Sequence, residues 1–147
     1  MNKKLKIDVV NKTEMELPAY ETSGSAGMDL RCNEDNVIIR PSERVLVGTG
    51  LYIQIPSGYE AQIRPRSGLA LKSGVSILNS PGTIDSDYTG EIKVILINHG
   101  NETVEFHKGD RIAQMVVSKY ESVEWNSVES LVSTERGNGG FGHSGMN

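Results

Sequence analysis

The chain has 147 residues, with 19 Asp and Glu against 15 Lys and Arg, a formal net charge of −4. That length fits one domain and two poorly, and 37% hydrophobic with 23% charged residues excludes a disordered and a membrane composition alike. An acidic chain with no basic block is not drawn to a nucleic-acid backbone, so any anion it binds must meet a few placed donors.

The opening stretch MNKKLKIDVV alternates through Leu5, Ile7 and Val9, which predicts a strand and not the apolar block of an export signal. Residues 37–40 form a β-branched run stopped by Pro41. Residues 44–55 set Val45, Val47, Leu51, Ile53 and Ile55 on one parity, a long strand broken near Gly48 and Gly50. Residues 59–64 alternate through Ala61 and Ile63, and residues 75–78, 91–97 and 111–117 read as further strands. Turn signals separate them: Pro56-Ser57-Gly58, Pro81-Gly82, His99-Gly100 and Lys108-Gly109-Asp110. Helical periodicity is weak and confined to residues 69–72 and 123–132. Sixteen Gly oppose long helices, since each interior Gly costs roughly 0.5–1 kcal/mol relative to Ala.

Together these predict an all-β fold, a jelly roll or distorted β-barrel of short antiparallel strands with at most one short helix. With 2 Phe and 1 Trp, the core must be filled by Val, Ile and Leu. The domain runs over residues 1–135, and residues 136–147 form a Gly-rich C-terminal lid of the same domain. The lone cysteine, Cys32, allows neither an internal disulfide nor a Cys-rich zinc site. No apolar run approaches the ~20 residues of a membrane span. With no export signal either, the expected location is the cytoplasm.

Gly137-x-Gly139-x-x-Gly142 matches a dinucleotide fingerprint, but no strand–helix unit follows it. His99, His107 and His143 lack ligand spacing and read as surface or turn residues. Three internal clusters remain. In Ala26-Gly-Met-Asp-Leu30, Asp29 is either a turn or edge carboxylate or a charge held near a cation or a sugar. In Arg64-Pro-Arg-Ser-Gly-Leu-Ala70, Arg66, Ser67 and Gly68 offer a guanidinium, a hydroxyl and backbone N–H groups to an anion, or Ser67 simply caps a helix. Residues 79–91 read as a hairpin between the strands at 75–78 and 91–97. Asp85 and Asp87 there share one strand parity, as turn chemistry or as a general base that orients water beside Tyr88. The tail adds Arg136, Phe141 and Ser144 among glycines, a set suited to a phosphate and a base face.

Taken in order, five segments resemble the five motifs of the homotrimeric deoxyuridine triphosphatase (dUTPase) family: Ala26–Leu30, Pro65–Ala70, Gly82–Glu91, Gly109–Met115 and Arg136–Gly145. The resemblance implies a jelly-roll homotrimer with active sites at subunit interfaces, hydrolysing dUTP to dUMP and pyrophosphate with Mg²⁺ bound through the phosphates and no protein metal site. It implies that Asp85 activates the water and that Asp29 supports the sugar region and base activation. Arg66, Ser67, Gly68 and Gln114 would contact phosphates, as would Arg136 and Ser144 on the tail. Asn79 and the backbone through Ile84 would read uracil, Tyr88 would pack under the deoxyribose, and Phe141 with Gly142 would cover the base. Such an enzyme keeps uracil out of DNA and supplies dUMP for thymidylate synthesis. The rival readings are a dCTP deaminase of the same fold and a non-catalytic trimeric module that binds nucleotide or protein.

Overall fold

Short runs of Val, Ile and Leu between turn residues become ten strands and one helix in the computed structural model, which describes residues 4–141. The strands are β1 (Asp8–Asn11), β2 (Met28–Arg31), β3 (Val37–Ile39), β4 (Arg44–Gln54) and β5 (Tyr59–Arg64). Helix α1 (Ser67–Ser73) follows, then β6 (Val75–Ile77), β7 (Gly82–Ile84), β8 (Glu91–Asn98), β9 (Val104–Phe106) and β10 (Arg111–Lys119). One four-stranded sheet has the order β1-β4-β8-β6, a second has β2-β10-β5-β7, and β3 pairs with β9. Every pairing among the described residues is antiparallel. This is the expected all-β jelly roll, and its helix is short.

The alternation in β8 turns Ile92, Val94, Leu96 and Asn98 inward, and they meet Val47 and Ile53 of β4 and Ile63 of β5 in one core. Phe106 is the one aromatic side chain in that buried core among the described residues. Aliphatic packing therefore carries the apolar stabilisation, about 25 cal/mol per Å² removed from water. Asn98 is fully buried and fully used. Its Nδ2 donates to the carbonyls of Ile39 (2.9 Å) and Glu102 (2.8 Å), and its Oδ1 accepts the Gly100 N–H (2.8 Å). One side chain thus ties β3 to the turn after β8.

The break expected near Gly48 and Gly50 is a bulge. Gly48 pairs with Lys93 and Tyr52 with Glu91, so four steps along β4 face two along β8. Gly50 turns the chain at φ 70°, and a Cβ there would lie 2.3 Å from Thr13 Cγ2. Side chains take the hydrogen bonds that the ladder loses. The Gly50 N–H donates to Glu91 Oε1 (2.9 Å), the Gly48 N–H to Glu34 Oε1 (2.8 Å), and Thr49 Oγ1 to the Ile92 carbonyl (2.6 Å).

Four expectations are corrected. Residues 79–91 are not a hairpin tip: β6 and β8 do pair, but β7 between them crosses to the other sheet and pairs with β5. Asp85 and Asp87 do not share a strand face, because the Tyr88 N–H donates to the Asp85 carbonyl (3.2 Å) and bends the chain into a turn. Ser67 is not the helix cap: Arg66 holds that position with extended angles and no side-chain capping bond. Residues 123–132 are not helical, and nearly every residue from 120 to 141 is exposed without regular structure. Trp125 (89% exposed), Leu131 (88%) and Val132 (91%) find no cover within the chain.

Cys32 is buried, and loss of solvation pushes its thiol above the ordinary value. The folded-state pKa is the raised one, so this contribution to stability is whole below the unfolded thiol's pKa and is lost as pH rises through the folded value. A thiol-specific reagent at neutral pH should leave the native protein unlabelled and label one thiol per chain in denaturant.

Candidate active site

The predicted site residues before the tail fall into two groups of the β2-β10-β5-β7 sheet, one on β2, β10 and the turn after β5, the other at and around the opposite edge strand β7. Asp29 lies on edge strand β2, between Met28 and the buried Leu30. Its Oδ1 accepts a hydrogen bond from Arg66 Nε at 3.0 Å, and its Oδ2 faces Arg111 Nη1 at 3.5 Å. Arg111 also reaches Glu21 through Nη2 (3.0 Å), and Arg66 Nη1 lies 3.5 Å from the Arg111 carbonyl. One carboxylate thus organises two guanidiniums, which leaves them room for further acceptors. A cleft of about 420 Å³ opens beside this cluster and is lined by Glu21, Asp29, Arg31 and Arg111 with the segment after Thr13.

Strand β5 ends at Arg64, Pro65 sets the entry, and Ser67 and Gly68 form the exposed first turn of α1. Gln114 on β10 stands opposite both Asp29 and Arg64. Its Nε2 donates to the Pro65 carbonyl (2.9 Å), and its Oε1 crowds Gly27, where a Cβ would sit 2.4 Å away. The side chain therefore clamps the turn that presents Arg66 and Ser67.

At the far edge, β7 pairs with β5 on one side alone, which leaves its outward N–H and C=O groups free. A narrow cavity of about 60 Å³ runs along it, lined by Asn79, Gly82, Thr83 and Ile84. A second cleft of about 200 Å³ adjoins it, with Asp85, Tyr88 and Glu91 in its wall. Asp85 is exposed and makes no ion pair among the described residues. Asp87 faces elsewhere, beside Lys6, Asp8 and Pro56. The Tyr88 hydroxyl donates to the Glu91 carbonyl at 2.8 Å.

Three strand spacings of about 4.8 Å separate the two edges, so Asp29 and Asp85 of one chain stand more than about 14 Å apart. The cleft that holds Asp29 lacks Asp85, and the cleft that holds Asp85 lacks Asp29. Arg136 donates from Nε to the Gly139 carbonyl (2.8 Å), and Phe141 is fully exposed, so neither meets either half. Gly142, His143 and Ser144 lie outside the described residues. His99 and His107 are exposed in turns, with His107 3.2 Å from Glu105.

Arg111, Glu21 and Glu91 belong to these surroundings and had no assigned role in the sequence reading. The register shift in β10 between Arg111 and Ala113 explains the first: their odd spacing would put Arg111 and Gln114 on opposite faces of a regular strand, and the bulge sets them opposite Arg31 and Asp29, which share one face.

The fold and these two edges define a class: a jelly-roll protein that pairs an arginine-rich anion surface with a narrow slot of free backbone groups and an aromatic wall. Comparisons make the class specific. A dUTPase family model matches residues 13–145. A deoxyuridine 5'-triphosphate nucleotidohydrolase of Hydrogenobaculum sp. is 62% identical over 130 residues, covering 88% of this chain and 90% of that protein. One from Fusobacterium nucleatum is 53% identical over 144 residues, covering 97% and 99%. The dUTPase of Staphylococcus bacteriophage 80alpha, solved with dUPNHPP, superposes with a TM-score of 0.88 at 25% identity, covering 96% of this chain and 99% of that one. A mutant dUTPase from phage phi11 of S. aureus, described with a structural Mg(II) ion, shares the fold at a TM-score of 0.79 and 23% identity, covering 87% and 99%. The chain belongs to the dUTPase family.

Asp29→Asn should release both guanidiniums. A hydrogen bond to a charged group is worth about 1.5–3 kcal/mol, so urea denaturation at fixed protein concentration should show a loss of that order. An unchanged midpoint would remove Asp29 as the organiser of this edge.

Proposed function

We propose that this chain hydrolyses dUTP to dUMP and pyrophosphate at a site built from the two sheet edges of different copies, in a homotrimer. The observation that carries this reading is the unpaired Asp85 carboxylate beside the Tyr88 ring, next to a slot of free strand backbone. A carboxylate with no cation to hold it is available to take a proton from water. The water oxygen forms a bond to the α-phosphorus as the bond to the bridging oxygen breaks. Pyrophosphate leaves, and the water's proton passes to Asp85 and then to solvent.

The other edge supplies charge. Arg66, Ser67 and Gly68 donate to the phosphates, Asp29 keeps Arg66 and Arg111 aligned, and Gln114 holds the turn in place. Arg136, Phe141, Gly142 and Ser144 complete the site as a lid over phosphate and base. The free backbone of β7 with Asn79 suits uracil, whose edge presents one N–H between two carbonyls. Cytosine reverses part of that pattern, and buried groups left unpaired can discriminate by several orders of magnitude. Tyr88 lies under the sugar and leaves no room for a 2'-hydroxyl.

Among the described residues no three His, Cys, Asp or Glu side chains gather as a metal site, and Asp29 is already flanked by two cations. That donor set suits a Mg²⁺ held through triphosphate oxygens, where the ion neutralises phosphate charge. The separation of the edges and the uncovered arm from residue 120 onward both support assembly: a monomer has neither a whole site nor cover for Trp125. No helix among the described residues is long and apolar enough to cross a membrane, and the proposed setting is the cytoplasm, where the reaction limits uracil in DNA and yields dUMP.

Purified protein with Mg²⁺ should release pyrophosphate from dUTP and not from dCTP, dTTP or UTP. Ammonia from dCTP would identify a deaminase, and silence with all four would favour a binding module. Asp85→Asn should lower turnover by about 10²–10⁴-fold while dUMP binding survives. Full activity in that variant would overturn the base assignment. Light scattering should give the mass of three chains, and an active monomer would overturn the shared site.

A further inference from the structure

Tyr88 is held from three directions. Its N–H donates to the Asp85 carbonyl (3.2 Å), which links the ring to the same turn as the reacting carboxylate. Its hydroxyl donates to the Glu91 carbonyl (2.8 Å). Its ring lies across Gly90 so closely that a Cβ there would stand 2.6 Å from Oη, 2.7 Å from Cζ and 3.0 Å from Cε2. Gly90 has no positive φ that would call for glycine, so contact with the ring, not backbone conformation, excludes a side chain. Glu91 is itself anchored: Oε1 accepts the Gly50 N–H of the β4 bulge (2.9 Å) and Oε2 lies 3.9 Å from Lys93 Nζ.

We propose that Gly90 and Glu91 are positioning residues that set the sugar specificity of this chain by seating the Tyr88 ring at a fixed depth in the cleft. This rests on the dUTP-hydrolysing reading above. An aromatic ring excludes a hydroxyl from beneath a sugar only if it cannot recede. Tyr88 is 47% exposed, so surrounding packing covers only part of it. Depth comes instead from the flat Gly90 floor and from the Glu91 carbonyl, and the Glu91 carboxylate fixes that carbonyl against β4. The bulge expected near Gly48 and Gly50 thereby gains a use: its freed N–H is the anchor for the discriminating loop.

The test compares kcat/KM for dUTP and UTP in the full chain with Mg²⁺. Gly90→Ala, whose added methyl would dislodge the Tyr88 hydroxyl from the Glu91 carbonyl, and Glu91→Ala should each lower the dUTP-to-UTP ratio about tenfold or more, through KM more than kcat. Glu91→Gln keeps an acceptor for the Gly50 N–H and should restore the ratio to within about threefold of the parent. A merely structural role would depress both substrates together and leave the ratio intact, and that result overturns the proposal. If Gly90→Ala does not fold, Tyr88→Phe decides: it removes the hydroxyl anchor without adding an atom, and an unchanged ratio overturns the seat. If the parent protein turns over no dUTP, the hydrolase reading fails by itself. The seat is then judged by the relative affinity of dUMP and UMP in the same variants.

Discussion

The width of one sheet governs how this molecule can work. Two strands, β10 and β5, lie between Asp29 on β2 and the Asp85–Tyr88 turn that follows β7. A β-sheet is stiff along its hydrogen-bonding direction, because shortening it would break the ladders that satisfy its interior backbone groups. The arginine-bearing edge and the Asp85–Tyr88 edge are therefore fixed apart within a chain. Edge placement has a second effect. Strands β2 and β7 each have one unpaired side, so both edges offer backbone groups that the sheet itself leaves unsatisfied.

The same economy of backbone groups explains the long strands. Strand β4 would be an unbroken ladder but for Gly50, and its bulge survives because Glu34, Thr49 and Glu91 replace the missing partners. Asn98 does likewise where β8 ends. Removing any one partner would strand a buried donor or acceptor, which typically costs about 1–3 kcal/mol. In a core with Phe106 as its one buried aromatic, these polar ties supply specificity that shape alone does not.

What could be read from the sequence follows the strength of local pattern. Residues 59–64 became β5 with those bounds, since Ala61 and Ile63 alternate against polar neighbours and Gly58 and Pro65 stop the run. The 44–55 strand and its break were legible for similar reasons. Strands β2 and β9 were not, because three or four residues containing Asp29 or Glu105 look like turns until a partner strand supplies the ladder. The crossing of β7 was hidden for a different reason: pairing is tertiary, and nothing in Gly82–Ile84 names β5 over its sequence neighbours. The shared face expected of Asp85 and Asp87 failed, since strand parity cannot foresee a turn closed by Tyr88. The site residues owe more to the family resemblance than to pattern. The surroundings that act through them, such as Arg111 behind a bulge and Gly90 beneath a ring, belong to the folded arrangement.

The arm beyond β10 carries one more consequence. The chain has 1 Trp, and Trp125 stands on the arm, almost fully in water, while the core holds none. Indole emission from this protein is therefore blind to the packing of the jelly roll. It reports whether the arm lies in solvent or against another surface. The molecule carries an intrinsic optical probe for association, separate from folding, and a blue shift in its emission would register contact between copies while the barrel stayed unchanged.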